Sequence, residues 1–176
     1  MKRTRNAQAG FTLNELLVCV AAIGTLGAIA VPVFAKDTRN AKGDAEVNAF
    51  FAELRVREEQ FQFENGRYLD TGMIESDMFP ATPSKDAKPI GATPATWTAL
   101  KISPPENNVR CSYVVVTGTA TSNTAGPIAQ SMGFVPPARN WFYVLAHCDL
   151  DGSSSKDSYY FASSDTPAIQ QINSTR

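Results

Sequence analysis

Histidine is almost missing from this chain: His147 is the only one in 176 residues. Ser/His/Asp or Cys/His catalysis would rest on that single side chain, which sits in an apolar stretch beside Cys148. It reads as a structural or surface histidine rather than a general base. Cysteine is also sparse, limited to Cys19, Cys111 and Cys148. A zinc site needs more ligands at short spacing than these and His147 supply. No glycine-rich phosphate loop occurs. Basic excess is missing too, with 16 Lys and Arg against 17 Asp and Glu, so nothing points to nucleic acid as a partner. The expectation is a non-enzymatic protein with no cofactor.

The near-neutral balance conceals an asymmetry. The whole chain carries −1, the first ten residues carry +3 through Lys2, Arg3 and Arg5, and the remainder is left at −4. After this basic leader, Leu16 to Phe34 form an apolar run of 19 residues in which Thr25 is the only polar side chain. Such a run has the length needed to cross a bilayer as a helix, about 17–25 residues. Gly24, Gly27 and Pro32 interrupt it and predict local bending or melting. One carboxylate, Glu15, stands at its start, where a charge in a bilayer needs a partner.

Three readings of this region compete. A cleavable secretory signal would use Val33-Phe34-Ala35 as its cleavage site, but the run exceeds the usual h-region of about 7–15 residues. A plain anchor, oriented by Lys2, Arg3 and Arg5 on the cytoplasmic side, leaves Glu15 unexplained. The string Gly10-Phe11-Thr12-Leu13-Asn14-Glu15-Leu16, placed between basic leader and apolar run, resembles the class III signal of type IV pilins and their relatives. That resemblance is closest over about residues 8–35, and Gly24 and Pro32 stand where pilins carry a glycine and a helix-loosening proline.

The resemblance implies cleavage after Gly10 by a prepilin peptidase, which then N-methylates Phe11. It also implies a subunit that polymerises with copies of itself through the apolar helix. Glu15 would pair with the Phe11 amine of a neighbouring subunit, which penalises wrong register in a low-dielectric bundle. Further implied partners are an inner-membrane assembly platform and other pilins. The chain would reside in the inner membrane before assembly and then in a pilus at the cell surface. Two alternatives share this N-terminus: a pseudopilin of a type II secretion system, and a minor pilin with a ligand-binding head.

Beyond the run the sequence predicts an α+β head. The leader is 1–10, the hydrophobic assembly helix 11–35, and an amphipathic helix 36–66. Val47, Phe50, Phe51, Leu54 and Phe61 mark the apolar stripe of that last segment, and charged residues including Glu58 fill the other positions. Asn65-Gly66 supplies the stop. Residues 67–109, with six prolines, read as an irregular helix-to-sheet loop in which Trp97–Leu100 forms a short packed turn. Within 110–164, Arg110–Thr117, Asn140–Cys148 and Ser158–Ser163 read as three antiparallel strands. The tail, 165–176, reads as loose.

If this half is exported, Cys111 and Cys148 pair in a disulfide tying the first two strands, worth about 3–4 kcal/mol. In a cytosolic domain they would be two buried thiols. The string Asp149-x-Asp151-Gly152-x4-Asp157 superficially resembles a calcium loop but lacks the closing glutamate, and reads first as a backbone turn.

Overall fold

A computed structural model describes residues 11–104, 107–122, 124–153 and 157–172. The leader 1–10, including Gly10, lies outside the described residues. One helix, α1 (Leu13–Asn65), accounts for the N-terminal part of the chain from residue 13 onward. It runs through Gly24, Gly27 and Pro32 without a break, where the sequence predicted bending or melting. Pro32 removes a single donor, and the turns on either side keep their own bonds. An added Cβ at Gly24 or Gly27 would meet nothing within 4 Å, so neither glycine marks a close approach. Gly66 ends the helix with φ 73°, and its N–H donates to Gln62 O at 2.7 Å.

The chain divides into two compact units, one ending at Thr38 and one beginning at Arg39. The described part of the first unit is a stretch of α1 alone. It is long and apolar enough to cross a membrane by length and composition, and no part of that apolar window is buried. Within it, Thr25 Oγ1 donates to Ala22 O and Thr38 Oγ1 to Phe34 O, which satisfies both hydroxyls inside the helix.

The second unit holds the sheet. A small pair, β1 (Lys88–Pro89) and β2 (Asn108–Val109), lies within the proline-rich loop, as does a short helix, α2 (Ala95–Ala99). The main sheet has the order β3 (Ser112–Gly118), β4 (Trp141–Cys148), β5 (Ser158–Ser163) and β6 (Gln170–Ile172), antiparallel throughout. A second short helix, α3 (Pro127–Ser131), precedes β4. Within the tail that the sequence predicted to be loose, Gln170–Ile172 pairs with Tyr159–Phe161.

Alternation along the strands sorts the core into two layers. Phe142, Val144 and Ala146 of β4 face Val47, Phe50, Phe51 and Leu54 of α1, with Tyr113, Val115 and Tyr160 completing that layer. Trp141, Tyr143 and Leu145 face the other way, onto Ala125, Ala129, Phe134 and Phe161. Phe134 meets Trp141 and Tyr143 edge-on at 5.4 and 5.3 Å. The sheet is thus buried on both faces. An unbroken apolar run such as Trp141–Ala146 is the signature of that arrangement, whereas one-sided strands alternate apolar and polar.

Candidate functional site

The start of α1 is organised around Thr12 and Glu15. Thr12 N and Thr12 Oγ1 both donate to Glu15 Oε2, at 2.9 and 2.8 Å, and Glu15 N donates back to Thr12 Oγ1 at 3.2 Å. This is a capping box, in which threonine and glutamate three residues apart satisfy each other's free backbone donors. The Thr-x-x-Glu spacing was present in the sequence as its signal. Both Thr12 bonds fall on Oε2, and Oε1 carries no hydrogen bond among the described residues. Phe11 just before the box is 85% exposed, as are most apolar side chains that follow.

Cys111 and Cys148 form a disulfide. Cys148 closes β4 and Cys111 immediately precedes β3, so the bond lies beside the Ser112–His147 pair of the ladder. Glu46 of α1 reaches this corner. Its carboxylate accepts from Arg110 N at 2.8 Å, Cys111 N at 3.1 Å and Tyr113 Oη at 3.0 Å, with the Arg110 guanidinium 3.4 Å away. Burial and this carboxylate together hold the Tyr113 hydroxyl well above its usual value, so it stays a donor.

Two further carboxylates are buried, and neither was expected from the pattern. Glu58, placed among solvent-facing charges by the sequence reading, is fully buried. It follows Leu54 by four residues and precedes Phe61 by three, so it falls on the apolar stripe. Its Oε2 accepts from Leu69 N at 2.9 Å, and its Oε1 has no partner. Burial pushes its carboxyl up to about 8. Glu75 accepts from Ile128 N and Ala129 N, both at 2.8 Å, and from Tyr143 Oη at 3.3 Å, which fastens α3 to the outer sheet face. A lone Glu in a loop gave no sequence signal for that role.

The aspartates of the calcium-like string serve the backbone. Asp149 Oδ1 accepts from Gly152 N at 2.7 Å and Ser153 N at 3.0 Å, and Asp151 Oδ1 accepts from Ser153 N at 2.8 Å. Gly152 takes φ 81°, the turn conformation that favours glycine. Asp157 instead bonds His147 Nε2 through Oδ2 at 2.7 Å. Among the described residues no group of three or more His, Cys, Asp or Glu side chains gathers as a metal site. Ser112 is the ladder neighbour of His147, but it is fully buried and its Oγ has no partner among the described residues, so Ser112 enters no hydrogen-bonded relay with His147 and Asp157.

No protein-family model, curated protein or solved structure matches this chain.

Proposed function

We propose that this chain is a type IV pilin-like structural subunit rather than an enzyme, with the pilin arrangement of a long helix and an antiparallel-sheet head. In this reading the prepilin peptidase cuts after Gly10 and methylates Phe11. The mature chain leaves the inner membrane through an assembly platform and polymerises through its apolar helix into a surface filament with other pilins. The observation that supports the reading most is the Gly10–Leu16 string opening an unbroken helix of 53 residues, whose apolar first part is uncovered in the single chain. Exposed leucine, isoleucine and valine over this length need lipid or sister helices around them.

The capping box changes the part assigned to Glu15. In the single chain Oε2 caps the helix, which leaves Oε1 for the Phe11 amine of a neighbour. Glutamine serves as well as glutamate at this position of a capping box. Glu15→Gln therefore keeps the cap and removes the charge. Loss of filaments in Glu15→Gln, with processing intact, supports charge pairing. Normal filaments in Glu15→Gln but not in Glu15→Ala would make capping the whole role. Mass spectrometry tests the reading as such: a mature N-terminus at N-methyl-Phe11 is expected, and one at Lys36 would establish a secretory signal instead.

A further inference from the structure

On the sheet face turned away from α1, the head has a cavity of about 550 Å³. It lies inside the second unit and is independent of how the N-terminus is processed. Its apolar walls include Ile74, Met78, Pro127 and Ile128, and its polar lining is Glu75, Ser76, His147 and Tyr159. The two rings come from neighbouring strands in register and stack with centroids 4.6 Å apart and planes 3° from parallel. Asp157 fixes the imidazole through Nε2, and Nδ1 carries no hydrogen bond among the described residues. Asp157 Oδ1 is buried and has no partner among the described residues.

We propose that this cavity binds a small, neutral or cationic aromatic molecule bearing an N–H or O–H group. The volume falls in the range of small-ligand pockets, about 300–1,000 Å³, and the lining has their usual make-up of apolar walls with a few polar groups. A planar ring extends the His147–Tyr159 stack and buries its faces against Ile128 and Met78. The polar N–H or O–H group meets Nδ1, which carries no hydrogen bond among the described residues. Among the described residues no Lys or Arg lines the cavity and Glu75 does, so carboxylates and phosphates are disfavoured. The aliphatic walls likewise disfavour sugars, whose hydroxyls would go unpaired against them. Burial and the Asp157 charge keep the Tyr159 hydroxyl protonated, which adds a donor at the rim.

Because His147 is the only histidine, one imidazole signal reports the site. The test titrates indole into the full chain, labelled at histidine and held in lipid nanodiscs, and follows that signal by NMR. Glucose and benzoate are titrated in parallel. A saturable shift with indole alone is expected, with at least a tenfold weakening in Tyr159→Leu, which removes the ring and keeps the bulk. Ile128→Trp fills the cavity and abolishes the shift while the imidazole signal itself persists. Should Ile128→Trp not fold, Tyr159→Leu decides alone. A shift that follows glucose or benzoate instead, one that never saturates, or one unchanged in Tyr159→Leu overturns the proposal.

Discussion

The residues up to Thr38 and the residues from Arg39 onward solve opposite problems with similar raw material. In the head, Leu54 is 1% exposed and Phe50 also 1%, both in the core cluster between α1 and the sheet, where Phe50 packs against Tyr113. In the apolar unit, Leu26 is 68% exposed and Phe34 70% exposed, and they touch no core. Hydrophobicity is thus spent internally in one region and left open in the other. Apolar content alone does not define a core; the difference lies in whether a second element of the same chain arrives to cover it.

The sharpest way to break this comparison is a matched pair of truncations. Phe50→Ala is expected to cost the head about 3–5 kcal/mol. Leu26→Ala is expected to leave the melting temperature of the head unchanged, because Leu26 is exposed and belongs to no core cluster. Calorimetry on both variants checks this, and a large effect of Leu26→Ala would join the two units energetically. Replacing Cys111 and Cys148 together by serine is expected to cost about 3–4 kcal/mol, read by denaturant titration with and without reductant. The wild type under reductant should approach the variant.

Glu58 gives a pH-dependent version of the same contrast. Its folded value of about 8 lies above the ordinary carboxylate value of 4.5, so the folded head retains a proton that the unfolded chain releases. Its contribution is fully present below pH 4.5 and declines as pH rises to about 8. Glu58→Gln removes that decline and is expected to stabilise the head at pH 8 on the order of 3 kcal/mol, with little change at pH 4. Melting curves across pH 4–9 measure it, and parallel curves for the two proteins would contradict it. The smallest effect belongs to the apolar unit: Thr12→Ala removes the cap and costs about 1 kcal/mol, confined to the first turn of α1. Hydrogen exchange at residues 13–16 should rise while the head stays protected.

What could be read in the sequence follows the same division. Strong local periodicity placed the end of α1 within a residue, and dense β-branched and aromatic runs placed β3, β4 and β5. The pairing of Cys111 with Cys148 followed from compartment and strand assignment together. Features made by distant chain segments were not legible. Gln170–Ile172 has no pattern of its own and becomes a strand because β5 leaves an edge for it. Glu58 looks solvent-facing by residue type, and only the stripe position argues otherwise. Met78, Ile128, His147 and Tyr159 are scattered over 82 positions of sequence, so the cavity they line exists only in the fold.

One corner of the head also determines how it would respond to tension. Two antiparallel strands pulled from an end open one hydrogen bond at a time, like a zipper, and fail at low force. Glu46 links α1 to Arg110 and Cys111 beside the disulfide, so a pull carried by that helix enters the β3–β4 pair at its stapled end. Peeling from there is blocked by a covalent bond. Failure must then begin elsewhere, by shearing many bonds together or by tearing the helix from the sheet. A cross-link that adds a few kcal/mol at rest thus becomes, under load, the point at which the first step of unravelling is refused.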